Sequence, residues 1–89
     1  MSTIWKFPIE TIDKQEVKIP GGGLILCVQT QGGNPCLWAL VNPDRATETR
    51  SIRIHGTGHS VPAAHSLSYI GTYQLDEGAL VFHVFEEAL

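Results

Sequence analysis

Leu24-Ile25-Leu26-Cys27-Val28-Gln29-Thr30-Gln31-Gly32-Gly33-Asn34-Pro35-Cys36-Leu37-Trp38-Ala39-Leu40-Val41 is two apolar runs on either side of a glycine pair. Adjacent glycines accept positive φ at both central positions of a hairpin turn, the conformation whose twist matches the flanking strands. A two-residue turn at Gly32-Gly33 sets Cys27 opposite Trp38 and Gln29 opposite Cys36. The two cysteines are then diagonal neighbours at roughly 7 to 8 Å, too far apart for a disulfide without a register change. One hairpin face carries Leu24, Leu26, Val28, Leu37, Ala39 and Val41; the other carries Ile25, Cys27, Gln29, Cys36, Trp38 and Leu40. A sheet with one face in water alternates apolar and polar residues, whereas here both faces ask for burial. Either the hairpin is central in a small sandwich, or the Trp38 face packs against a second copy of the chain.

Working outward, further strand-like runs follow at short intervals. Alternating apolar residues predict strands at Ile4–Ile9, Gln15–Ile19, Leu24–Thr30, Cys36–Val41, Thr49–His55, Leu67–Leu75 and Ala79–Phe85. The separators are Pro20-Gly21-Gly22-Gly23, Gln31-Gly32-Gly33-Asn34-Pro35, Asn42-Pro43-Asp44, the stretch around Gly56-Thr57-Gly58, and Asp76-Glu77-Gly78. A short helix is expected at most between Val61 and Ser66, with Pro62 in its first turn. The expected fold is all-β, a small antiparallel barrel or sandwich of about seven strands.

At 89 residues the chain forms one domain, residues 1–89, because so few apolar residues cannot stabilise two cores. Its 43% hydrophobic and 17% charged residues place it in the globular class. A formal charge of −3, with no cluster of Lys or Arg, argues against binding a DNA or RNA polymer. A small anion, which needs only two or three local donors, remains compatible with that charge. Neither a secretory leader nor a membrane-length apolar run is present, so a cytoplasmic protein is expected. Two cysteines are too few for a disulfide framework or a thiolate zinc site.

Arg53-Ile54-His55-Gly56-Thr57-Gly58-His59 is the stretch most suggestive of chemistry. Ile52 and Ile54 alternate with Arg53 and His55, so the apolar pair points inward and the polar pair to the other face. The glycines let backbone N–H groups turn toward a common point where an anion can sit. Arg53 adds a charged donor, Thr57 a hydroxyl, and His55 and His59 imidazoles. Gly56-Thr57-Gly58 also has the composition of an ordinary turn, and both readings stay open at this stage. His55 and His59 share the spacing of a helical zinc pair, but the glycines between them oppose a helix, and no metal or other cofactor is expected. No serine stands in a nucleophile elbow and both cysteines lie in apolar strands, so no catalytic residue is assigned. Among the aromatics, Tyr69 and Tyr73 read as sharing one strand face, with Gly71 leaving a gap over which a flat group could lie.

Ile4-Trp5-Lys6-Phe7-Pro8, Pro35-Cys36-Leu37-Trp38-Ala39-Leu40-Val41, Gly56-Thr57-Gly58-His59, Tyr69-Ile70-Gly71-Thr72 and His83-Val84-Phe85-Glu86 together resemble a family of short proteins encoded by bacteriophages and by phage-bearing bacterial genomes. The chain is also similar to the phage anti-CBASS sponges, which sequester cyclic oligonucleotide immune signals without cleaving them. That resemblance implies a homo-oligomer in the cytoplasm of the infected bacterial host, with a cyclic dinucleotide such as cyclic GMP-AMP as ligand. The site residues Arg53, His55, Gly56, Thr57, Gly58, His59, Tyr69 and Tyr73 come from the residue reading alone. An alternative expectation is a phage interaction or assembly protein that uses the Trp38 face as its contact surface.

Overall fold

A computed structural model describes residues 1–88. Seven strands appear where the alternation predicts them: β1 (Thr3–Pro8), β2 (Lys14–Pro20), β3 (Leu24–Gln31), β4 (Asn34–Val41), β5 (Thr47–Gly56), β6 (Leu67–Leu75) and β7 (Leu80–Glu87). All pairings are antiparallel, and the strands divide into a sheet of order β1-β4-β3 and a sheet of order β2-β5-β7-β6. Of barrel and sandwich, the fold is the sandwich, and its 15 Å shortest extent is that of two stacked layers. In place of a helix at Val61–Ser66 there is a single 3-10 turn at Ala64–Ser66, because Ala63 is held at φ 53 and cannot continue a right-handed helix. No helix among the described residues is long and apolar enough to cross a membrane.

The β3–β4 hairpin turns as its glycines require. Gly32 (φ +58) and Gly33 (φ +81) both occupy the left-handed region, and Cys27 pairs with Trp38 and Gln29 with Cys36. Both cysteines are free. Beyond Cys27 the register shifts, because Leu26 bulges out of β3 and Leu24 comes opposite Leu40 and Ile25 opposite Ala39. The extra residue reverses the alternation. Ile25 therefore turns toward the core beside Val28, while Leu24 and Leu26 turn outward with Cys27, Trp38 and Leu40, correcting the face assignment made from strict alternation. Of the two hairpin strands only β4 is central; β3 lies at the sheet edge, and the chain itself leaves the Trp38 face uncovered.

Between the layers, Ile9, Val28, Leu37, Ile52, Ile54, Tyr73 and Val84 form the main core, and Ile19, Ala39 and Val41 form a second cluster. Phe7, Val17 and Ile25 pack against both, so the two clusters are one continuous interior. The sandwich has no fully buried polar residue among the described ones, as expected where Leu37, Ala39 and Val41 of β4 and Ile52 and Ile54 of β5 fill the interior.

Candidate functional site on the four-stranded sheet

Alternation in β5 sends Ile52 and Ile54 inward and Arg53 and His55 to the outer face of the four-stranded sheet. Register then sets two rows across that face. Lys14, Arg53, Phe85 and Tyr69 form one row, and His55, His83 and Thr72 form the next. The Tyr69 ring meets the Phe85 ring edge to face with centroids 5.6 Å apart, and Phe85 meets His55 at 6.0 Å. Tyr69 is 62% exposed, which leaves a broad ring surface open to solvent.

A chain of hydrogen bonds runs alongside these rings. Thr57 Oγ1 lies 2.7 Å from His83 Nε2, Thr72 Oγ1 lies 3.0 Å from His83 Nδ1, and the Tyr69 hydroxyl lies 2.6 Å from Thr72 Oγ1. Hydroxyls both donate and accept, so the chain can serve either tautomer of the imidazole. Each member orients the next.

At the β5 end of the face, Asp13, Arg53, His55, His59, Ser60 and Pro62 line a cleft of about 250 Å³. Arg53 Nη2 donates to Glu87 Oε2 at 2.7 Å, which holds the guanidinium against β7. Arg53 Nε and His55 Nε2 are shielded from solvent yet have no hydrogen-bond partner. An unsatisfied polar atom of this kind costs roughly 1 to 3 kcal/mol. His59 forms the opposite wall. Its N–H donates to the Gly56 carbonyl at 3.1 Å, and its ring packs so closely on Gly56 that a Cβ there would lie 3.1 Å from Cε1.

The sequence-predicted residues fall into two sets. Arg53, His55 and His59 converge on the cleft, and Thr57 and Tyr69 lie on the same sheet face through the hydroxyl chain. Gly56, Thr57, Gly58 and His59 form a tight turn with Gly58 at φ +86, and two of its amides are already engaged: the Thr57 N–H donates to the Val81 carbonyl and the His59 N–H to that of Gly56. Those two N–H groups are not free to converge on an anion. Tyr73 is the clearest correction. The register shift at Ile70 places Tyr69 outside and Tyr73 inside, where Tyr73 is 3% exposed, meets Phe82 at 5.5 Å and shares a 2.9 Å hydrogen bond with Thr11. The space beside Gly71 is occupied from within by Val28, so no flat ligand can lie there.

Phe85, His83, Thr72, Glu87 and Asp13 belong to the site but were not singled out from sequence. The period-two spacing of His83, Phe85 and Glu87 is the signal that placed them on one face. Among the described residues, no group of three or more His, Cys, Asp or Glu side chains is placed to hold a metal ion.

Comparison with curated proteins and with solved structures returns no match. A family model, Domain of unknown function (DUF7352), matches residues 1–89. Covered from end to end by that match, the chain belongs to this family of small domains.

Proposed function

We propose that the protein is a phage-derived binding protein that sequesters a cyclic oligonucleotide immune signal, such as cyclic GMP-AMP, without cleaving it. The observation that carries the proposal is the cleft on which Arg53, His55 and His59 converge. A phosphate offers several acceptor oxygens, and a guanidinium with neighbouring imidazoles is a donor set suited to it. The exposed Tyr69 ring, two strands from Arg53 across the sheet and hence about 10 Å away, supplies a stacking surface for a base. A ligand that carries both phosphate and base engages both ends of the face, whereas inorganic phosphate engages one.

The hydroxyl chain favours holding over cleaving. Thr57 and His83 form a hydroxyl–imidazole pair, but the second nitrogen of His83 meets Thr72 rather than a carboxylate. An imidazolium formed there gains no charge stabilisation of the kind that makes such a pair an effective base.

Calorimetry with cyclic dinucleotides, followed by mass spectrometry of the recovered ligand, tests the proposal. Saturable binding with intact ligand is expected, together with a raised melting temperature, since a ligand at a hundredfold excess over Kd stabilises the fold by about 2.7 kcal/mol. Absence of heat and of thermal shift across cyclic di- and trinucleotides overturns it. Binding accompanied by a cleaved product overturns the non-enzymatic part.

A further inference from the structure

The outer face of the three-stranded sheet carries a continuous apolar row. Ile4, Leu40 and Leu24 stand side by side across β1, β4 and β3, at 57%, 38% and 58% exposure, and the bulged Leu26 adds a fourth exposed side chain at 45%. Trp38, half-buried, lies in the next row between Lys6 and Cys27, on the central strand. Lys6 is the one charged residue in all three strands, and its Nζ donates to Gln31 Oε1 at 2.6 Å. All nine acidic residues of the chain lie outside this sheet.

We propose that this face binds a second copy of the same chain, back to back about a two-fold axis near Trp38 and Leu40. A face whose one charge, Lys6, is already engaged by Gln31 and which carries no carboxylate offers a charged partner little to select. Its complement in character is another apolar face, and two copies meeting here keep their acidic residues apart. Three strands about 4.8 Å apart and about 20 Å long outline a face whose side-chain relief brings the total buried by two copies to the order of 1,000 Å², where specific interfaces begin. The large central Trp38, flanked by aliphatic side chains, has the position and residue type of an interface anchor. Growth by edge pairing is opposed at β2, where Lys14, Glu16 and Lys18 guard the strand. Back-to-back packing turns both four-stranded sheets outward, so the two clefts stand on opposite sides of the dimer. The inference does not rest on the proposed ligand.

Sedimentation equilibrium from micromolar to near-millimolar concentration tests it, with the parent chain and a Leu24→Glu/Leu40→Glu variant. Both substituted side chains are exposed in the single chain, so the variant should fold. The expected result is twice the chain mass for the parent and once for the variant. Should the variant fail to melt cooperatively, Trp5→Phe leaves Trp38 as the sole tryptophan. Its emission should then shift to the red on dilution, in step with the fall in mass. A parent that is monomeric at every concentration overturns the proposal and leaves the face to a different protein. A dimer unaffected by the double substitution, or dilution that halves the mass without moving Trp38 emission, overturns it equally.

Discussion

Val28 Cγ1 occupies the place beside Gly71 where any larger residue would put its side chain, 2.8 Å from an ideally built Cβ. Val28 belongs to β3 and Gly71 to β6, the edge strands of opposite sheets, so the missing side chain is what lets the two layers meet at that margin. Gly71→Ala should therefore cost roughly 1 to 3 kcal/mol through overpacking. Urea unfolding checks this, and the same substitution in a Val28→Ala background should cost distinctly less, since the methyl group it strikes is gone.

Arg50 closes the same sandwich at another point. Its Nε and Nη2 donate to the two carboxylate oxygens of Glu86, the second at 2.9 Å, and its Nη1 donates to the Gly23 carbonyl at 2.8 Å. The hydrogen bond to Glu86, above all, raises the guanidinium pKa above its ordinary value, against the opposing effect of burial. Arg50→Ala strands a largely buried carboxylate and a carbonyl. We expect a loss of about 2 to 3 kcal/mol by denaturant titration, and a smaller one for Glu86→Gln, which keeps an acceptor in place.

Asp76 (φ 51), Glu77 (φ 55) and Gly78 (φ 91) turn the chain from β6 to β7 in three successive left-handed conformations. A glutamate in that region bears a steric cost of roughly 1 to 2 kcal/mol, which asparagine reduces. Glu77→Asn should stabilise the fold by up to about 1 kcal/mol, read as a higher melting temperature with no change in ligand affinity.

Glu87 competes with any anion for Arg53. Arg53→Ala should weaken cyclic dinucleotide binding by roughly ten- to a hundredfold, the loss of one charge-assisted contact. Glu87→Gln should instead strengthen it, because it removes a negative charge 2.7 Å from the guanidinium. Tyr69→Ala should weaken binding by about 1 to 3 kcal/mol through lost stacking, and Thr57→Val should do so more mildly by cutting the hydroxyl chain. Calorimetry on all four, with melting curves to confirm folding, separates this site from any other. Unchanged affinity throughout would rule the face out.

Burial raises the Tyr73 phenol above its ordinary value of 10.0, and the hydrogen bond with Thr11 offsets this only in part. The folded state thus holds the phenolic proton more tightly than the unfolded chain does. The corresponding stability is fully present below about pH 10 and is lost as pH rises through the folded value. Melting temperature should fall on that alkaline side, and Tyr73→Phe should flatten the fall while losing roughly 1 kcal/mol at neutral pH with the hydrogen bond.

Local chemistry carried the seven strands and their turns. Two glycines at positive φ admit one hairpin turn, alternation admits one inward set over a short run, and both act between near neighbours, so Gly32-Gly33, Ile52 and Ile54 were legible by themselves. The same alternation put Arg53 and His55 together on a polar face, which is why these two residues of the cleft could be named. What alternation cannot reveal is where a strand gains an extra residue. The bulges at Leu26 and Ile70 each reverse the faces beyond them, which exchanges Ile25 for Leu24 and Leu26 in the core and parts Tyr73 from Tyr69. A bulge is decided by packing against the partner strand and the opposite sheet, here Val28 against Gly71, and that contact spans far more chain than any local pattern. For the same reason only the tertiary structure could set Glu87 on Arg53 and His83 between Thr57 and Thr72. Each contact joins β7 to a neighbouring strand or the turn beyond it, and forms only when β7 inserts between β5 and β6.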